Sequence, residues 1–376
     1  MATPRNVSYI LAGIDKALAF EWIVDRMDPA KVRLDFRLLG ERPGAVSQYL
    51  SQRGIPWKFY PCTGRKGLPA TTFRLWRDLR RNPPDAVHCH LLNANLAGLT
   101  AAKWAGVKQR IYTRHHSTFH WDYHPRAVRY DKYANRMATH IGAISPVVRQ
   151  VLEQREGVAP QKITDLPHGF DLEAFAHVPP ARVERLRHQY DLPETAGPVV
   201  GVIARWMELK GLQYIVPAFA EFRQHYPGAR LVLAGAGGPY TPQVKALLAQ
   251  LPRESYREIR FEPDLFALYQ LFDAFVHVPT GPQIEAFGQI YVEALAAGVP
   301  SVFTLSGIAH EFIVHQENAL VVPYKDEAAI LRALLQLQNE PGLRRELIRK
   351  GQQSVDPQFS IGNFINNLEA LYLAGE

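Results

Sequence analysis

The sequence contains no uninterrupted apolar run of the roughly 18 residues that a membrane-spanning helix needs, so a chain that crosses a bilayer as helices is not expected. Its opening segment, MATPRNVSYILAG, meets polar residues too early for a secretory leader. Cysteine is nearly missing: Cys62 and Cys89 are all there is. That excludes a disulfide framework and makes a reducing cytoplasm the simplest setting. There is no Walker loop with Lys-Ser/Thr, no nucleophile elbow and no D-x-D carboxylate pair. These absences argue against a P-loop NTPase, a serine hydrolase and a site that holds its nucleotide through a metal. Tandem repeats and low-complexity tracts are absent too, so no solenoid is expected.

What is there is an ordinary globular composition in a chain of 376 residues, 47% hydrophobic and 21% charged. That length suggests about two domains. The formal charge of +7 is unevenly spread. Residues 1–180 hold 26 Lys and Arg against 15 Asp and Glu, whereas 181–376 hold 17 against 21. A basic first half points to an anionic partner on that side.

Short β-branched runs recur, each followed by a helical stretch. In the first half they are 7–12, 34–39, 86–90, 110–113, 140–145 and 162–167; in the second, 199–204, 230–235, 274–278, 301–304 and 319–323. Continuous apolar strands with helical connections predict parallel sheets covered on both faces. The reading is an α/β chain of two doubly wound, Rossmann-like domains facing each other across a cleft. A proline- and charge-rich stretch, HVPPARVERLRHQYDLPETAGP, puts the boundary near 178–197. Ligands of such sheets bind beyond the carboxyl ends of strands, so residues just after strands are the candidates.

Glu285 and Glu293 stand eight apart in EAFGQIYVEALAAGVP, an otherwise apolar stretch. On one helix they would lie about 12 Å apart and about 80° around the axis. That is poor for sharing a proton and better for gripping two distant parts of one ligand. Pro282 and the glycines of TGPQIEAFG place Glu285 in a loop, with the helix starting near Gly288 and aiming its free N–H groups at the ligand. Arg205 and Lys210, in RWMELKG, follow strand 199–204 and suit a diphosphate. LAGAGGPY follows strand 230–235 with Gly235 at its turn, and is read as a close backbone approach rather than a dinucleotide fingerprint. His88 and His90 share one face of a strand, while His115 and His116 follow another. No metal set is read from them. Ser145 reads as a helix N-cap before Pro146.

Taken in order, PDAVHCH, TRHHS, LPHGFDLEAF, RWMELKG, LVLAGAGG and EAFGQIYVEALAAGVPSV resemble the motifs of the retaining glycosyltransferases of family 4, which have the GT-B fold. The likeness covers nearly the whole chain. The last stretch carries the family's E-x7-E pattern. The resemblance implies an acceptor-side domain over 1–178, a nucleotide-sugar domain over 179–361, and a final helix, 362–376, crossing back. It implies that Glu293 holds the donor's ribose hydroxyls and that Glu285 with Phe287, Gly288 and Gln289 holds the donor sugar. Arg205 and Lys210 would neutralise the leaving diphosphate, and His115 would face the reacting side of the sugar. Gly13, after the first strand, stands alone where the family often has paired glycines, and His168 replaces the family's usual Asn.

The function so implied is metal-independent, retaining transfer of a hexose-type sugar from a nucleotide-diphosphate sugar to a glycan or lipid-linked acceptor. The donor is a substrate and no cofactor is expected. Rival readings are a nucleotide-sugar epimerase, a phosphorylase, or a non-catalytic protein on the same fold. Nucleic acid is not an expected partner, since no recognition module is present. Separately, TTFRLWRDLRR brings Arg74, Arg77 and Arg81 near one helical face, which suits an anionic bilayer or an acidic lipid-linked acceptor.

Overall fold

The computed structural model describes residues 3–15, 18–193 and 197–374. Its contacts divide the chain into two compact units, Met1–Phe170 with Ile361–Glu376, and Asp171–Ser360.

The first unit is a seven-stranded sheet in the order β3-β2-β1-β4-β5-β6-β7, every pair parallel. Its strands are β1 Arg5–Ala12, β2 Val32–Gly40, β3 Trp57–Pro61, β4 Ala86–His90, β5 Gln109–Arg114, β6 His140–Ala143 and β7 Ile163–Asp165. The chain leaves β1 in one direction and returns to build in the other, so the topological switch lies between β1 and β4. Val7, Tyr9 and Leu11 of β1 are fully buried and pack with Phe20, Ile23 and Phe36. Helix Ile361–Leu373 joins this core through Ile365, Leu368 and Tyr372. Its Leu371 carbonyl accepts from Gln109 Nε2 at 2.7 Å, and its Glu369 pairs with Lys31 at 2.7 Å.

The second unit is a six-stranded parallel sheet ordered β10-β9-β8-β11-β12-β13. Here β8 is Val199–Ile203, β9 Arg230–Ala234, β10 Tyr256–Ile259, β11 Ala274–His277, β12 Ser301–Phe303 and β13 Leu320–Val321. Its switch point lies between β8 and β11.

The junction falls at 170/171, ahead of the stretch in which the sequence placed it. Asp171 caps helix Leu172–Ala176, and Phe175 of that helix packs edge-on against Phe266 at 4.7 Å, inside the second unit. The proline-rich stretch contains helix Pro180–Gln189, which Arg182 and Arg185 fasten to Asp264. Ser145 does cap helix Pro146–Gln150, its Oγ accepting from the Val148 N–H at 3.3 Å. Cys62 and Cys89 are both free thiols. No helix among the described residues is long and apolar enough to cross a membrane.

Candidate active site

At the switch point of the second unit, three side chains converge from the ends of β8 and β11. Lys210 lies in a single helical turn, Glu208–Lys210, that follows β8. Its Nζ donates to Glu285 Oε1 at 2.5 Å. His277, the last residue of β11, donates from Nε2 to the same oxygen at 3.1 Å. Burial alone would push the Glu285 carboxyl up. The His277 hydrogen bond and the Lys210 charge outweigh it and hold the group at about 2, so it is ionised at any physiological pH. Burial lowers His277, which stays neutral. The backbone N–H of Glu285 donates to Ser306 Oγ at 3.0 Å, which ties its loop to the turn after β12.

Two glycines make this arrangement possible. Gly211 has φ +77°, and a Cβ there would stand 2.1 Å from the carbonyl oxygen of Val278. The turn carrying Lys210 therefore lies directly on the end of β11. A Gly211→Ala substitution should cost about 3 kcal/mol or more, read as a fall in melting temperature of roughly 6–12 °C. An unchanged melt would mean that the turn moves away freely. Gly288 has φ +90° and stands at the N-cap of helix Gln289–Ala296. A Cβ there would meet the Tyr291 ring at 2.6 Å. The first N–H groups of that helix have no side-chain cap.

Glu293 sits one turn into this helix, buried, and accepts from the Tyr269 hydroxyl at 2.9 Å. Burial raises its carboxyl to about 7 against the opposing pull of the Tyr269 hydrogen bond. Because the folded value lies above the ordinary 4.5, the folded chain keeps a proton that the unfolded chain has released. Stability should therefore fall as pH rises from about 4.5 to 7. Glu293→Gln has no such proton. Its stability should gain on the parent's by about 3 kcal/mol across that window. Melting curves of the two that run parallel from pH 5 to 8 would contradict this.

The first unit carries a file of imidazoles at the ends of β4 and β5. The rings of His88 and His90 lie 4.3 Å apart, on the strand face opposite Cys89. His88 shares hydrogen bonds with the Tyr372 hydroxyl at 2.7 Å and the Thr113 hydroxyl at 2.8 Å. His90 Nδ1 and His115 Nε2 share one at 3.0 Å. The His168 ring stacks on that of His115, with centroids 5.6 Å apart and planes 9° apart. Burial pushes all four down, His88 and His115 to about 3 and His168 to about 4. They are neutral hydrogen-bonding groups across the physiological range.

His116, His120 and Asp131 bring three potential ligand atoms together beside this file. Asp131 Oδ2 already accepts from His120 Nδ1 at 2.6 Å, and Asp131 Oδ1 faces the Arg114 guanidinium at 3.3 Å. A fixed cation beside the carboxylate opposes a second one, so the group reads as an internal ion-pair network.

The family model described as "Glycosyltransferase Family 4" matches residues 35–174, and "Glycosyl transferases group 1" matches residues 184–354. The chain belongs to the family 4, group 1 glycosyltransferases.

The fold of this glycosyltransferase is GT-B: the Anabaena protein HepE, solved in complex with UDP-glucose, superposes with a TM-score of 0.83 at 20% identity, over 98% of this chain and 100% of that one. Among curated relatives, the GDP-mannose-dependent alpha-(1-6)-phosphatidylinositol monomannoside mannosyltransferase of Mycolicibacterium smegmatis is 29% identical over 64% of this chain and 63% of its own length. Alpha-monoglucosyldiacylglycerol synthase of Acholeplasma laidlawii is 24% identical over 85% of this chain and 83% of its own.

Of the residues singled out in the sequence, the second unit joins Lys210 and Glu285 directly. Arg205 follows β8 with its side chain exposed and without an ion pair among the described residues. Gly235, φ +78°, ends β9 where a Cβ would come within 3.0 Å of the Ala204 carbonyl oxygen. Gln289 is exposed at the first turn of its helix. Phe287 departs from its assigned place. Its ring is 3% exposed and packs edge-on against Phe359 at 5.8 Å, so any contact with a donor is through its backbone. Its aromatic character belongs to the core. Gly13, φ +67°, lies exposed at the end of β1, and its N–H donates to Leu39 O at 2.9 Å. Sequence reasoning missed His277, Tyr269 and Tyr372. His277 carried the signal, since it ends a strand just before the Glu285 loop; the two tyrosines sit on helices and carried none.

Proposed function

We propose that the enzyme transfers a hexose-type sugar, with retention of configuration and without a metal, from a nucleotide-diphosphate sugar to a glycan or lipid-linked acceptor. The observation that carries this reading is the Lys210–Glu285–His277 cluster beside the uncapped N-terminus of helix Gln289–Ala296. Cleavage of a sugar–phosphate bond leaves negative charge on the diphosphate. Lys210 has three N–H donors and spends one on Glu285; the others, with Arg205 and the helix N-terminus, answer that charge. Glu285, held ionised, accepts hydrogen bonds from sugar hydroxyls. Because it is bound by Lys210 and His277, it is a poor nucleophile. That favours front-face transfer, in which the departing phosphate takes the acceptor's proton. Gly288 and Gln289 present the helix N-terminus, Glu293 takes the ribose hydroxyls, and Gly235 allows close backbone approach. Gly13 and His115 follow β1 and β5, where ligands of the first unit's own sheet would bind. His115, neutral over the working range, offers a hydrogen bond rather than a charge.

The names of the relatives support both ends of the reaction: one is GDP-mannose-dependent, HepE was solved with UDP-glucose, and two carry a lipid in their names, a phosphatidylinositol monomannoside and a monoglucosyldiacylglycerol. A melting-temperature screen against UDP-, GDP- and ADP-sugars tests it, since a ligand at 100 times its Kd adds about 2.7 kcal/mol of stability. One sugar nucleotide should raise the melting temperature by several degrees, and no response to any would reject the reading. Ribose hydroxyls donate to an ionised carboxylate. Affinity for the free nucleotide diphosphate should therefore rise with pH through about 7, the value for Glu293, and Glu293→Ala should weaken it in calorimetry. An unchanged affinity would count against the ribose role.

A further inference from the structure

Three helices of the first unit lie side by side: Leu92–Ala105 packs on β1, β4 and β5 and has Leu68–Arg81 on one side and Val128–Met137 on the other. Their outward charges are of one sign. Arg74, Arg77, Arg80 and Arg81 are exposed on the first, Lys103 on the second, and Arg129, Lys132 and Arg136 on the third. The only acids on the three are Asp78 and Asp131. Asp131 is 3% exposed, and Asp78 is turned inward onto Arg37, at 2.9 Å, and Lys58. Arg74, Arg77 and Arg81 have no ion pair among the described residues. Among these cations stand two rings that the fold leaves in water: Phe73 is 53% exposed and Trp104 61%. Trp76 lies between them in character, half-buried, 5.2 Å from Phe73 and under the Arg80 guanidinium at 5.7 Å.

We propose that this helical layer is a docking face for an anionic phospholipid bilayer. A soluble polyanion would be met by the arginines alone. The exposed Phe73 and Trp104 gain by leaving water, and a bilayer interface offers that beside a negative surface. Arginine suits the same place, with its stem along the apolar boundary and its guanidinium at phosphate level. The middle helix of the layer begins at Leu92, two residues after His90, so docking would bring lipid-borne acceptors to the unit that carries the histidine file. The docking does not depend on which acceptor is used.

Co-sedimentation with vesicles tests it. The full chain should bind vesicles of phosphatidylglycerol and phosphatidylcholine, should bind pure phosphatidylcholine at least tenfold less, and should be released by salt. Arg74→Gln, Arg77→Gln and Arg81→Gln together should lower the partition coefficient by about 100-fold, near fivefold for each charge. Phe73→Ser with Trp104→Ser should lower it without altering the salt dependence. Both variants should keep the melting temperature and the nucleotide-diphosphate affinity of the parent, which separates loss of docking from loss of the donor site. Equal binding to both vesicle types, or none, would overturn the proposal. So would binding to heparin without binding to vesicles, which would give the face to a polyanionic glycan. If a variant failed to fold, the salt and lipid dependence of the unaltered chain would still decide.

Discussion

Lys210→Ala is expected to lower kcat by about 10²–10³-fold, with the donor's KM changed far less. Its ammonium is charged before and after the reaction, so its advantage lies in the charge that grows on the departing diphosphate. A preorganised cation in a partly buried site is worth most at that moment, because nothing has to reorganise. Its aim is fixed by the Gly211 turn beneath it and by Glu285 at 2.5 Å. Arg205→Ala should act in the same direction but less, since its exposed guanidinium has no ion pair among the described residues and must be ordered by the substrate. Steady-state kinetics with saturating donor give both values. Turnover within a factor of three of the parent in both variants would mean that the diphosphate is neutralised elsewhere.

Glu285→Gln should be nearly as severe, about 10²-fold or more in kcat, and it should also unsettle the site. The amide keeps the shape but removes the charge that Lys210 and His277 share. Removing one member of a partly buried pair leaves the other uncompensated, at a cost of about 3 kcal/mol at most here, because both side chains keep some contact with water. Lys210→Met combined with Glu285→Gln should then melt higher than Glu285→Gln alone, because the stranded charge has gone with its partner. Activity should not return with it. Melting temperatures that simply add across the double-mutant cycle would show that the two side chains do not act as a pair.

Much of this was legible in one chain. Central strands such as β1 and β8 announce themselves because both of their faces are covered, which demands continuous apolar runs. The two strands that escaped, β3 and β10, are edges of their sheets. Trp57–Pro61 has only Tyr60 buried, and Tyr256–Ile259 carries Arg257 and Glu258, so neither shows the run that a buried strand needs. The strand-end rule found Lys210, Glu285 and His115, because a parallel sheet leaves its ligand-facing groups there. It was not applied to His277, which obeys it equally. Phe287 shows a different limit, since its ring is buried against Phe359. Position in a motif says which loop a residue belongs to, but only packing decides whether a ring turns to the ligand or to the core. Tyr269 and Tyr372 reach their partners, Glu293 and His88, across 24 and 284 residues, and no local pattern encodes that.

The central claim is electrostatic: positive groups at the end of β8 take up charge as the nucleotide diphosphate leaves. A structure of the enzyme with a bound nucleotide-diphosphate sugar tests it most directly. Diphosphate oxygens should lie within about 2.7–3.2 Å of Lys210 Nζ and of the Arg205 guanidinium, with the sugar's hydroxyls against Glu285. A donor bound with its phosphates away from both side chains would contradict the account.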